Sequence, residues 1–370
     1  MLRNWRFNLE PGNADWLKAP IGVLPGGEVR WLKFSAEADG FHGMHAGTTG
    51  SGKSELLNSE ILSLAIQYPP SLLNFLLIDF KGGMAFEPFR RLPHCVDVVT
   101  NLTEAEVDRV FDSISAELER RSKLNNQLGG GMDVVAYRRH GLHLPPYGRT
   151  VTIRGNEYRT APFPHLLVII DEFAEMIALK PEYKGRLESI TRLGRALGVT
   201  LILAAQRPSG VTDQMRANIT ARICLRVQTP EESLEILRRR DAYYLPQVAG
   251  RGYLQSGSDS LELIQIAYSG GYDTATAPDA DIHDRPRVYD VVINLLGDAA
   301  DEEGHAASKP WPDFLPDRLS LEAPLHTRLP AGWAQFLGAT GDDHSPAAGG
   351  LPEDEPVWAN VVLNRALAQW

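Results

Sequence analysis

Residues 166–170 read Leu-Leu-Val-Ile-Ile, five apolar side chains in succession. The run is too short for a typical helix and rich in β-branched residues, which predicts a central strand buried on both faces. Residues 41–46, 74–79, 200–205 and 223–227 are predicted as further strands of the same sheet. Between them lie helical patterns. Residues 55–66 carry Leu56, Leu57, Leu62, Leu64 and Ile66. In the stretch 103–124, Thr103 and Glu106 form a capping box, and Val107, Val110, Phe111, Ile114 and Leu118 trace one apolar face. Strands alternating with helices predict an α/β fold with a parallel sheet flanked by helices. Gly129-Gly130-Gly131 breaks the long helix, and 125–163 reads as an insertion holding a short hairpin around Gly155-Asn156. Residues 1–40 read as a short β-rich N-terminal lead-in in which Trp5, Trp16 and Trp31 are packing residues. The core spans 41–290. Residues 291–370 form a linker and tail, with solvated linkers at 297–310 and 338–356 rich in Gly, Ala, Asp, Glu and Ser.

The chemistry begins at the end of the first core strand. Gly47-Thr48-Thr49-Gly50-Ser51-Gly52-Lys53-Ser54 matches the G-x-x-x-x-G-K-[ST] phosphate loop at every fixed position. Glycines let successive backbone N–H groups turn inward around phosphate oxygens, and Lys53 brings a point charge to the β and γ phosphates. Ser54 offers a hydroxyl to Mg2+, and the helix that follows presents its positive N-terminal end to an anion. The run 166–170 ends in Asp171-Glu172, which places two carboxylates where α/β sheets bind ligands. Asp171 is the candidate Mg2+ ligand beside Ser54, and Glu172 the candidate base that orients and deprotonates the attacking water. Gln206, at the end of the strand 200–205, is the candidate sensor of the γ-phosphate. His45 sits in the strand before the loop, where a histidine is usually a satisfied core group.

Several separate blocks resemble the FtsK/SpoIIIE family of ring-forming P-loop ATPases, and within it the EccC-type motors of type VII secretion. Pro20-Ile21-Gly22-Val23 with Pro25-Gly26-Gly27-Glu28 looks like that family's entry hairpin, and 42–55 like its loop with both flanks. Asn74 to Gly83 is similar to its second strand, and Leu92-Pro93-His94 with Val98 to Leu102 to the stretch that follows. Asp171-Glu172-Phe173-Ala174-Glu175, Ala204 to Val211 and Ile223 to Val227 fall in the family's order, with Gly252-Tyr253 and Ser269-Gly270-Gly271 resembling its closing strands. The resemblance covers about residues 18–271. Lys81-Gly82-Gly83 matches the secretion motors, whereas DNA translocases carry a Lys-Met-type segment there. Trp311 to Pro316 resembles the segment that joins tandem modules of the secretion motors.

The resemblance implies a RecA-like sheet, ATP and Mg2+ as cofactors, and hydrolysis within a homo-oligomeric, hexameric ring. A neighbour's arginine would complete each site. Arg222 is favoured by its position in the family, with Arg120, Arg121, Arg192, Arg195 and Arg216 as alternatives. The expected partners are a secreted protein and membrane-anchored secretion components. Two other readings stay open: a translocase of double-stranded DNA, and a nucleotide-gated assembly module that does not hydrolyse.

Charge tilts that choice. Of the net charge of −10, the stretch 297–356 alone contributes −9, with twelve acids against three bases. The rest is nearly neutral and lacks the basic stripe of a phosphate-tracking groove, which favours a protein cargo. Met1 to Trp16 does not resemble a signal peptide, and no run of about eighteen apolar residues spans a bilayer. The expected location is cytoplasmic, peripheral to a membrane through partners. The chain reads as one module of a longer motor or as a subunit that borrows its anchor. Cys95 and Cys224 have no metal-ligand spacing and read as small buried residues.

Overall fold

The computed structural model describes residues 1–10, 16–82, 85–100, 103–127, 134–144, 146–153, 155–257, 260–274 and 281–310. The chain opens with helix α1 (Leu2–Leu9), followed by strands β1 (Lys18–Val23), β2 (Val29–Lys33) and β3 (His42–Ala46). Helix α2 (Lys53–Gln67) leads to β4 (Leu73–Asp79) and β5 (Cys95–Thr100), and α3 (Glu104–Gln127) to the short α4 (Val134–Arg139). The hairpin β6 (Thr150–Ile153) and β7 (Asn156–Arg159) precedes β8 (His165–Asp171), α5 (Phe173–Leu179), α6 (Tyr183–Leu197) and β9 (Val199–Ala205). Then come α7 (Asp213–Asn218), β10 (Ile219–Leu225), α8 (Pro230–Leu237), β11 (Arg251–Ser256), β12 (Ser260–Ile266) and α9 (Val288–Glu303).

Ten of these strands form one sheet in the order β2-β1-β12-β11-β10-β3-β9-β8-β4-β5. The six from β10 to β5 are parallel, and the remaining four pair antiparallel. The parallel strands are apolar throughout because each face is covered. Alternation along β8 sends Leu167 and Ile169 into one core and Leu166, Val168 and Ile170 into the other. The first core receives Leu56, Leu57, Ile61 and Leu64 of α2 with Ile293 and Leu296 of α9. The second receives the α3 face read in the sequence, Val107 to Leu118, together with Leu187 and Ile190 of α6. Each such side chain contributes roughly 1.5–3 kcal/mol on leaving water, so this layering fixes where every strand ends.

The α3 capping box forms: Thr103 N–H donates to Glu106 Oε2 at 2.7 Å, and Glu106 N–H donates back to Thr103 Oγ1 at 3.4 Å. The hairpin in the insertion pairs Thr150 with Arg159 and Ile153 with Asn156. It closes a small core of its own around Val134, Tyr137, Leu142, Tyr158 and Phe163. Trp5 is buried, its Nε1 donating to Ala65 O at 2.9 Å, whereas Trp31 stays partly exposed beneath Lys18.

Three expectations need correction. The stretch 1–40 begins with a helix, α1, before its two strands. Residues 297–303 are the last turns of α9 rather than linker, because Ile293, Leu296, Ala299 and Ala300 make an apolar face that packs into the core beside α2 and the turn at 87–91, while Asp298, Asp301 and Glu302 are exposed. Ser269-Gly270-Gly271 is not a strand but the turn beyond β12. Gly83, Asn101, Leu102, the run Gly129-Gly130-Gly131, the segment 311–316 and the linker 338–356 lie outside the described residues. Cys224 is buried and Cys95 half-buried, where burial pushes its thiol up to about 12.

Candidate nucleotide site

The loop Gly47–Ser54 runs from the end of β3 into α2, which begins at Lys53. Glycine at 52 is dictated twice. Its φ of 99° is left-handed, and a Cβ there would lie 2.7 Å from Gly250 N. Around Gly50 nothing lies within 4 Å of a built Cβ, so the mouth of the loop is open. Backbone bonds pin the rest: Thr48 N–H to Arg226 O at 3.0 Å, Ser51 N–H to Thr48 O at 2.9 Å, and Gly250 N–H to Ser51 O at 2.7 Å.

Lys53 Nζ donates to Asp171 and to Glu172 Oε1, the latter at 2.6 Å. All three groups are buried. Burial raises the Asp171 carboxyl above its ordinary value, and the Lys53 charge reverses only part of that shift. Glu172 takes the left-handed conformation, φ 58° and ψ 41°, as the N-cap of α5. A non-glycine residue there costs about 1–2 kcal/mol, which its contacts offset: Lys53 on one carboxylate oxygen and Gln206 N–H on the other at 3.2 Å. The Gln206 side chain reaches the loop, its Oε1 accepting from Thr49 Oγ1 at 3.0 Å. Thus Lys53, Asp171, Glu172 and Gln206 meet at the ends of β3, β8 and β9.

Ser51 Oγ is buried without a hydrogen-bond partner. Lys53, the first-turn N–H groups of α2 and this hydroxyl form a donor-rich cradle suited to phosphate oxygens. The Ser54 hydroxyl and the Asp171 carboxylate are hard oxygen groups of the kind Mg2+ takes. Among the described residues no cluster of three or more His, Cys, Asp or Glu could hold a metal by itself. Mg2+ typically takes one or two protein oxygens and completes its shell with phosphate and water.

The sequence profile of the FtsK/SpoIIIE family matches residues 13–210 of this chain. The chain belongs to the FtsK/SpoIIIE family. It is 39% identical over 301 residues to the type VII secretion system protein EssC of Staphylococcus aureus, and 39% identical over 274 residues to the ESX secretion system protein EccC of Geobacillus thermodenitrificans. Those stretches are 80% and 73% of this chain but 19% and 17% of the relatives, so it spans less than a fifth of their length. The solved cytoplasmic domain of the type VII secretion ATPase EccC of Thermomonospora curvata superposes with a TM-score of 0.71 at 32% identity, covering 85% of this chain and 34% of that one. The fold is the P-loop ATPase fold expected from the sequence.

The arginines separate clearly in this FtsK/SpoIIIE structure. Arg121 is fully buried: it donates to Glu117 at 2.6 Å and to the carbonyls of Leu197, Gly198 and Pro164. It pins the end of α6 and cannot reach a neighbouring subunit, which removes it from the candidates. Arg120 pairs with Glu117 on the half-exposed side of α3, and Arg216 with Glu235. Arg222, half-buried on β10, donates to Ile219 O at 3.1 Å, Arg216 O at 2.9 Å and Gln255 Oε1 at 3.4 Å. These partners draw its guanidinium back along β10, away from its own loop. Arg192 and Arg195 are exposed on α6.

Several contributors escaped the sequence reading. Gln228 Nε2 donates to Thr48 Oγ1 at 3.0 Å. Glu55, one residue beyond the loop, accepts from Ser269 N–H, Ser269 Oγ and Gly270 N–H, each at 3.1 Å. Gly250 has already been placed on the loop. Only Glu55, directly following the Gly-Lys-Ser end of the motif, stood in a place that could have drawn attention. His45 is a core group but not a fully satisfied one: its Nε2 lies 3.0 Å from Glu60 Oε2 with both side chains fully buried, while its Nδ1 has no hydrogen-bond partner.

Proposed function

We propose that this chain is the ATP-hydrolysing motor module of a ring translocase that drives protein export in a type VII-like secretion system. The observation that carries the reading is the buried Lys53–Asp171–Glu172 cluster facing an open phosphate loop, on a chain similar to EssC and EccC. Lys53 is held by the two carboxylates. A triphosphate on the loop gives Lys53 new partners and leaves Glu172 able to accept a proton from water. Ser54 and Asp171 are the residues that would hold Mg2+, which supplies charge neutralisation at the phosphates. Gln206, already touching Thr49 and bonded through its N–H to Glu172, is placed to register the γ-phosphate. Hydrolysis calls for an arginine at the transferred phosphoryl group, and among the candidates Arg121, Arg216 and Arg222 are each bonded to other partners. A homo-oligomeric, hexameric ring in which a neighbour supplies one, Arg222 in the first instance, meets that need. Among the described residues no helix is long and apolar enough to cross a membrane. By its likeness to EssC and EccC, the module is proposed to work on the cytoplasmic side, beside membrane-anchored partners, with a secreted protein as cargo.

The test is ATP turnover of the chain with Mg2+ across a range of protein concentrations, with and without duplex DNA. Specific activity should rise with concentration and ignore DNA. Turnover stimulated by duplex, with a steep salt dependence, would move the cargo from protein to DNA. No turnover at any concentration, with nucleotide binding intact, would make this a nucleotide-gated assembly module.

A further inference from the structure

The γ end of the site is fixed by Glu172 and Gln206, which stand at the ends of β8 and β9 on one side of β3. A nucleotide whose phosphates lie on the loop must therefore send its sugar and base the other way, past the first turn of α2 toward the ends of β10, β11 and β12. That flank has a definite lining. The segment after β12 lies along α2: Ser59 Oγ donates to Ala267 O at 2.9 Å, and Glu55 gathers the N–H groups of Ser269 and Gly270. Tyr268 projects from this segment with 68% of its surface exposed. Its ring lies against two glycines: a Cβ on Gly270 would sit 3.1 Å from the ring and 2.7 Å from Glu55 Oε1, and one on Gly271 would sit 3.6 Å from the ring. Both positions carry no side chain, so the ring is approached closely only by backbone there. The nearby Tyr272 is already covered, with the Arg287 guanidinium 3.8 Å from its ring centre. Tyr268 keeps an open ring.

We infer that Tyr268 is the stacking platform for the nucleobase, at the end of the site remote from Glu172. The inference rests on the nucleotide site proposed above and extends it from the phosphates to the base. A tyrosine ring offers any base an apolar face with little rotamer freedom to lose. Glu55 acts through the turn that carries the ring: by holding Ser269 and Gly270 it sets the distance between Tyr268 and the loop, and is a positioning residue. Stacking tolerates different bases, so Tyr268 should distinguish a nucleotide from a bare polyphosphate rather than adenine from guanine.

The experiment measures equilibrium binding of two magnesium-loaded probes, ADP and inorganic tripolyphosphate, to the full chain and to Tyr268→Ala and Tyr268→Phe. Tyr268→Ala should weaken ADP binding by about tenfold or more and leave tripolyphosphate within about twofold, with Tyr268→Phe matching the parent for both. Tyr268→Trp supplies a second readout, since its fluorescence should respond to ADP and not to tripolyphosphate. ADP binding undiminished in Tyr268→Ala, or an equal loss for both probes, overturns the inference while leaving the phosphate site standing. A parent chain that binds neither probe, or a Lys53→Met variant that binds both as the parent does, overturns the nucleotide site itself and this inference with it.

Discussion

Replacing Lys53 by Met keeps most of the side-chain length and deletes the only charge that Asp171 and Glu172 are seen to share. Both carboxylates are buried, and the neighbouring Glu172 disfavours the charged form of Asp171. Removing one partner of a buried ion pair costs about 3–5 kcal/mol. The lower end applies here, because the loop opens to water at Gly50 and one carboxyl can take up a proton, so the expected loss is about 3 kcal/mol. Unfolding entropy of about 2.1 cal/mol/K per residue, over the compact unit from Met1 to residue 311, turns this into a drop in Tm of roughly 5 °C. Thermal unfolding of the nucleotide-free chain reads it directly. Adding Asp171→Asn to Lys53→Met should restore part of the loss, since one of the two stranded charges is gone. Mg-ATP at a hundredfold excess over its Kd should raise the parent's stability by about 2.7 kcal/mol and the variant's not at all. A Lys53→Met chain as stable as the parent without nucleotide, within about 0.5 kcal/mol, would refute the buried cluster. A variant that still gains from Mg-ATP would put the nucleotide elsewhere.

Two further outcomes follow from the same site. Glu172→Gln keeps the shape and the contact to Gln206 N–H but cannot take a proton, so nucleotide binding should persist while turnover falls about 10²–10⁴-fold; hydrolysis within a few-fold of the parent would dismiss Glu172 as the base. Arg222→Ala should hardly change ATP binding yet lower turnover about 10³–10⁵-fold, and mixing it with Glu172→Gln subunits should recover some activity at interfaces that regain one intact arginine and one intact base. Should mixing recover none, the exposed Arg192 and Arg195 are next to be replaced.

The parts of this protein that could be read from its sequence are those where one local pattern has one structural solution. Five apolar residues ending in two acids can hardly be other than a covered strand with its acids at the ligand edge. Thr103 and Glu106 sit three residues apart and cap their helix without help from elsewhere. The loop is legible for the same reason, since its glycines are demanded by its own backbone. What stayed hidden depends on long-range pairing. Glu55 meets Ser269 and Gly270 more than two hundred positions away, and Gln228 reaches Thr48 across 180. No local spacing announces either contact. The end of α9 was obscured for a different reason. Asp298, Asp301, Glu302 and Glu303 give it the composition of a solvated linker, and only the core shared with α2 reveals that Ala299 and Ala300 are small because they pack.

The histidine just before the loop has a consequence for how this module can change over time. His45 lies on the strand that enters the loop and Glu60 on the helix that leaves it, and each is a polar partner of the other with both side chains fully buried. Neither can drift alone. An aliphatic residue at 45 leaves Glu60 without this partner in the core, at a cost of about 1–3 kcal/mol or more for a buried polar group left unpaired. Exchanging both for apolar residues of similar volume can be neutral or better. The two positions are one inherited unit, and lineages of this module should be found with both or with neither, the intermediate being the valley between them.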